Sequence, residues 1–240
     1  MAQHSTSAGA MLASIATGWI ALAPVGAAAL DLQGHRGARG LAPENTLQAF
    51  AAALSQGVTT LEMDLGVTKD GVVVVAHDSR LNRDLTRGPD GAWLQAPGPA
   101  LIELRLAELR QFDVGRIRPD SRYAERFPDQ RPADGARVPT LAEVVALSRR
   151  AGNDTVRFNL ETKLSPYAPN LTLPPAAFAE AVVAAVGATG IAERTTIQSF
   201  DWRSLSAVRA LAPDIRTACL TMEAQVHNIG YGLPPEQSKT

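Results

Sequence analysis

Residues with catalytic or metal-binding side chains recur in this chain at the ends of short apolar runs. His35 and Arg36 follow the run 30–34, Glu62 and Asp64 lie within 60–67, and His77 follows the β-branched run 72–76. Asn159, Glu161 and Lys163 come at and after the end of 156–160, and Gln198 and Ser199 end 195–199. Side chains two apart in an extended chain point to the same side, so Glu62 and Asp64 share a face of their run. Three carboxylates brought together from two strands repel one another and need protonation or a cation to coexist. A hard divalent ion such as Ca²⁺ or Mg²⁺ takes oxygen ligands and keeps positions for water or a phosphate. Zn²⁺ suits this set less, because it favours His and Cys. Each residue alone also has a plain structural reading: a hydrogen-bonded strand-end His, a solvated Glu-x-Asp face, or Lys163 as an ion-pair partner of Glu161. Their recurrence at successive strand ends carries the functional reading, because parallel barrels build their sites there.

The elements that must position these residues alternate strand and helix, which predicts an α/β fold with a largely parallel sheet. Strands are expected at 30–34, 60–67, 72–76, 156–160, 195–199 and 215–220. Helical periodicity marks 46–55, 140–151, 176–186 and 202–211. Lys69-Asp70-Gly71 reads as a turn. Residues 80–137 break the rhythm: they are rich in Arg, Asp, Pro and Gly, with one helix-like piece at 101–111. This stretch reads as an insertion, too polar to bury a core of its own.

The N-terminal residues 1–29 read as a secretory signal peptide, with an uncharged apolar stretch that ends in small residues. An uncleaved membrane anchor is the rival reading, weakened by Pro24 and by the many alanines. An exported, periplasmic protein without stable membrane association after cleavage is the expectation. The 240 residues carry 23 basic and 24 acidic side chains, a balance with no electrostatic footprint for nucleic acid. The single cysteine excludes an internal disulfide framework.

The stretches HRGARGLAPENTLQAF (35–50), LEMDLGVTKDGVVVVAHDSRLNR (61–83), FNLETK (158–163) and QSFDW (198–202) together resemble the glycerophosphodiester phosphodiesterases, and LAELRQFDVG (106–115) and DGARVPTLAEV (134–144) resemble their bacterial exported members. The resemblance implies a (β/α)8 TIM barrel with a small insertion after the second strand. It implies metal-dependent hydrolysis of glycerophosphodiesters to sn-glycerol 3-phosphate and an alcohol. Carried onto this sequence, it makes His35 and His77 the acid–base pair and Glu62, Asp64 and Glu161 the ligands of a divalent metal, Ca²⁺ or Mg²⁺. It makes Arg36 and Lys163 phosphate contacts, and it gives Glu44 of the ENT motif the task of orienting Arg36. The rivals are a phospholipase D-like phosphodiesterase on the same barrel and an inactive or binding-only product.

Residues 30–240 are then the phosphodiesterase domain, with 80–137 inserted. At roughly 30 residues per strand–helix unit, the remainder supplies about five units rather than eight. The expectation is a C-terminally truncated barrel with bare strand edges and an exposed apolar interior.

Overall fold

The computed structural model of the chain describes residues 30–222. The expected signal peptide and the final residues, His227 among them, lie outside the described residues. Strand β2 (Thr60–Val67) organises the sheet, and every one of its residues is buried. It pairs in parallel with β1 (Gln33–Gly34) on one side and with β4 (Arg157–Thr162) on the other. β5 (Thr195–Ser199) and β6 (Arg216–Cys219) continue the parallel sheet in the order β1-β2-β4-β5-β6. Five parallel strands match the number of units expected. Among the described residues β1 and β6 do not pair with each other, so the sheet is open.

The third strand, β3 (Val73–Val75), departs from the parallel pattern and returns antiparallel along β2, with Leu65 opposite Val75 and Val67 opposite Val73. This edge of β2 is accessible because β1 is only two residues long. The chain turns sharply after Gly34, with Gly37 N–H donating to the Gly34 carbonyl at 3.1 Å. Gly37 is required there: its φ is +77°, and a Cβ would meet the Ala49 backbone at 2.6 Å.

The two faces of the sheet differ as period 2 demands. Leu61, Met63, Leu65, Phe158, Leu160 and Ile197 are at most 1% exposed and point to one side. They form one core with Phe50 and Ala53 of α1 (Leu47–Ser55) and with Val144 and Val145 of α4 (Leu141–Arg150). Phe178, Val182 and Val186 of α5 (Pro175–Thr189) and Leu205 and Val208 of α6 (Trp202–Leu211) complete it. Burial of each large side chain stabilises by about 1.5–3 kcal/mol. The opposite face carries Thr60, Glu62 and Asp64 of β2, Asn159 and Glu161 of β4, and Gln198 of β5. The interior expected to be apolar is therefore polar, because its positions are occupied by hydrogen-bonding and charged side chains while the helices cover the apolar face.

The insertion at 80–137 follows β3, the hairpin partner of the second strand. Its expected helix at 101–111 is two pieces, a 3₁₀ turn at Leu101–Glu103 and α2 at Leu106–Leu109. Glu103 accepts from the Ala100 N–H and Glu108 from the Arg105 N–H, each at 2.7 Å, so each glutamate starts its own turn. A further short helix, α3 (Arg122–Glu125), had no periodic signal. The insertion is also less polar inside than its composition suggests. Leu81, Leu101 and Leu109 form a second buried cluster with Val74 of β3 and Val138. It borrows the hairpin to do so, and the described residues from Asp31 onward form one compact unit.

Candidate active site

Glu62, Asp64 and Glu161 converge because β2 and β4 pair in register, with Glu62 opposite Asn159 and Asp64 opposite Glu161. One carboxylate oxygen from each lies within 4.8 Å of the others, and all three residues are buried. Glu62 Oε2 accepts from the Arg36 N–H at 2.8 Å, and its Oε1 accepts from Gln198 Nε2 at 3.1 Å. Asp64 Oδ2 accepts from Asn45 Nδ2 at 2.9 Å and lies 3.1 Å from Arg36 Nε. Glu161 Oε1 accepts from Lys163 Nζ at 2.8 Å.

The electrostatics follow from this crowding. Burial, reinforced by the Asp64 charge, pushes Glu62 up to about 8. Burial also raises Glu161, with the Lys163 ammonium opposing and Asp64 adding to the rise. Burial acts on Asp64 in the same direction, but the charges of His77, Arg36 and Lys163 reverse it and hold the carboxyl low. Asp64 Oδ1 is buried without a hydrogen-bond partner. An orphaned acceptor beside two other carboxylates, in an all-oxygen donor set, is the arrangement a hard divalent cation satisfies. The three acids therefore fit a metal ion.

The basic residues sit around this cluster. Arg36 Nη1 pairs with Glu44 Oε1 at 2.8 Å, so Glu44 contacts Arg36 directly. Arg36 and Asn45 both have left-handed backbones, φ 54° and 56°. The Asn45 N–H donates to the Arg36 carbonyl at 3.0 Å. Such conformations cost about 1–3 kcal/mol each and are retained where surrounding contacts over-determine them. Here those contacts are the bonds to Glu62 and Asp64.

The two histidines reach the cluster by different routes. His35 directly follows β1, with its Nε2 3.8 Å from Glu62 Oε2 and its side chain half exposed. Burial, then the Arg39 and Arg36 charges, push its pKa down to about 4. His77 does not sit at the end of a parallel strand. The β3 return carries it back beside Asp64, with the Ala76 N–H donating to the Asp64 carbonyl at 2.9 Å. Its Nδ1 lies 2.7 Å from Asp78 Oδ1, and Asp78 Oδ2 accepts from Asn82 Nδ2 at 2.7 Å.

The eight residues to which the resemblance gave roles thus come together. Gln198, already marked by the sequence at the end of its run, belongs with them on Glu62, and three more join: Asn45 on Asp64, Asp78 on His77, and Tyr123, whose hydroxyl donates to Glu44 Oε2. Asn45, Asp78 and Gln198 stand inside or at the edge of the same motifs and were legible as polar neighbours. Tyr123 lies in the insertion, where no periodicity or motif marks it.

The profile of the glycerophosphoryl diester phosphodiesterase family matches residues 35–229. A glycerophosphodiester phosphodiesterase of Caldanaerobacter subterraneus subsp. tengcongensis is 31% identical over 186 residues, covering 78% of this chain and 64% of the relative. One from Bacillus subtilis is 29% identical over 200 residues, covering 80% and 59%. A solved structure from Silicibacter pomeroyi bearing the same family name shares 40% identity with a TM-score of 0.74, covering 79% of this chain and 64% of that one. A phosphodiesterase of Oleispira antarctica, solved in complex with the product sn-glycerol 3-phosphate, shares 26% identity with a TM-score of 0.56 over 79% and 65%. The chain spans 59–64% of the length of these two curated relatives.

Proposed function

From the premise that this chain belongs to the glycerophosphoryl diester phosphodiesterase family, we propose that it hydrolyses glycerophosphodiesters to sn-glycerol 3-phosphate and an alcohol. The observation that carries this reading is the buried Glu62–Asp64–Glu161 cluster, in which Asp64 Oδ1 accepts no hydrogen bond and lies 3.7 Å from Lys163 Nζ, flanked by two histidines and two cations. The product complex of the Oleispira antarctica phosphodiesterase supports the substrate class.

Glu62, Asp64 and Glu161 would hold Ca²⁺ or Mg²⁺, and a bound divalent ion supplies Lewis-acid polarisation of a phosphoryl oxygen. Arg36 offers its guanidinium to the phosphate oxygens while Glu44 and Asp64 hold it in place. Lys163 adds a point charge on the β4 side. His35, uncharged at neutral pH with a pKa near 4, takes the proton from the attacking oxygen. His77 protonates the leaving alcohol; its Nδ1 is engaged by Asp78, which turns Nε2 away from that carboxylate.

The test is ³¹P NMR of glycerophosphocholine incubated with the full chain, with and without a chelator. Appearance of glycerol 3-phosphate that stops on chelation and resumes with Ca²⁺ or Mg²⁺ supports the reading. Phosphocholine as product, or turnover indifferent to chelation, overturns it. The apolar stretch near the N-terminus makes export to the periplasm part of the proposal. N-terminal sequencing of protein from a periplasmic fraction tests it, with cleavage around Ala27–Ala29 expected.

A further inference from the structure

Besides Asn82, which donates to Asp78, the insertion reaches the site's charged network through Tyr123. Tyr123 on α3 donates its hydroxyl to Glu44 Oε2, while Glu44 Oε1 accepts from Arg36 Nη1 at 2.8 Å. Both oxygens of Glu44 are therefore engaged, one by the insertion and one by Arg36. The same segment is fastened to the loop that follows β1. Gln130 Nε2 donates to the Arg39 carbonyl at 2.7 Å, and the Arg131 N–H donates to the Leu41 carbonyl at 2.9 Å. The Arg39 guanidinium lies 5.1 Å from the centre of the Phe127 ring, which meets the Tyr123 ring edge-on at 5.1 Å.

A planar guanidinium recognises phosphate oxygens only in the right orientation. Glu44 on a loop, held by Arg36 alone, could swing with it; a second anchor on its other oxygen removes that freedom. We propose that Tyr123 is a positioning residue for phosphate binding: its hydroxyl fixes Glu44, and Glu44 fixes the fork of Arg36. The insertion thereby sets the geometry of an anion site whose charge comes from the loop after β1. The turnover arm of the test rests on the diesterase reading; the binding arm does not.

The probe is inorganic phosphate, titrated by ³¹P NMR against the full chain at saturating Mg²⁺. Tyr123→Phe, which removes one oxygen and keeps the ring, is expected to weaken phosphate binding about tenfold with the thermal melt unchanged. In an Arg36→Lys background the same substitution should have no further effect. Phe127→Leu, which loosens the packing but leaves the hydroxyl, should keep phosphate affinity within about twofold. With glycerophosphocholine, Tyr123→Phe should raise KM by about the same factor as the binding loss while kcat holds. Wild-type phosphate affinity in Tyr123→Phe, an equal loss in the Arg36→Lys background, or no phosphate binding by the parent chain overturns the proposal. Absence of diester turnover by a parent chain that still binds phosphate overturns the diesterase reading alone.

Discussion

His35 lies beside Glu62 and His77 beside Asp64, and neither contributes to the main apolar core. His35→Ala and His77→Ala should therefore each abolish diester turnover while leaving the thermal melt close to that of the parent; turnover in either variant would remove it from the acid–base pair. Asn45 offers a sharper reading of strain. Its amide bonds Asp64, and its backbone is left-handed. Both Asn45→Ala and Asn45→Gly lose the bond, but only alanine pays the steric penalty of positive φ. Chemical denaturation should find Asn45→Ala less stable than Asn45→Gly by about 1 kcal/mol. Equal stabilities would show that the conformation is not strained. Burial gives the residues a pH signature as well. Glu62 titrates near 8 in the folded chain, against an ordinary value of 4.5, so ionising it costs stability progressively as pH rises between those values. His35 is pushed from 6.5 to about 4, so the unfolded chain gains its proton first and stability falls as pH drops through that window. Above pH 6.5 only the carboxylate effect remains. The melting temperature of chelated protein should fall from pH 6.5 to 8, and Glu62→Gln should flatten that slope.

At the level of elements, the hairpin between β2 and β3 explains why His77 reaches the site at all. A parallel strand would have delivered it at a strand tip; the antiparallel return brings it back to the level of Asp64. The turn that makes this possible has Gly71 at φ +79°, with nothing within 4 Å of a Cβ placed there. Gly71→Ala should therefore cost only the backbone penalty, about 1 kcal/mol in a urea titration. Gly37→Ala adds a clash with the Ala49 backbone to the same positive φ and should cost clearly more. It should also impair turnover, because Gly37 directly follows Arg36. A Gly37→Ala chain as stable as Gly71→Ala would contradict the packing of α1 against the loop after β1.

For the whole molecule, a cation held by Glu62, Asp64 and Glu161 links folding to metal. Ligation stabilises the folded chain by about 2.7 kcal/mol at a hundredfold excess over the dissociation constant. Ca²⁺ or Mg²⁺ should accordingly raise the melting temperature of the chelated chain, and Asp64→Asn should abolish the increase; an unchanged melt would leave the cluster without its metal role. The alternation of strands and helices, the span of β2, the ends of β5 and α6, and the candidate residues that converge around the carboxylates were legible in the sequence, because local periodicity and the order of motifs encode them. Three features were not. The antiparallel sense of β3 depends on which edge of β2 is vacant, and that follows from how early β1 ends. The polar character of the sheet's inner face depends on which side the helices cover, a choice that alternation alone leaves open. The contact of Tyr123 with Glu44 joins residues 79 apart through an insertion without periodic pattern. The sequence by itself determined which chemical groups are present and in what order along the strands. Tertiary structure alone decided their burial and their partners, and with these the charge each carries, since those depend on contacts between segments far apart in the chain.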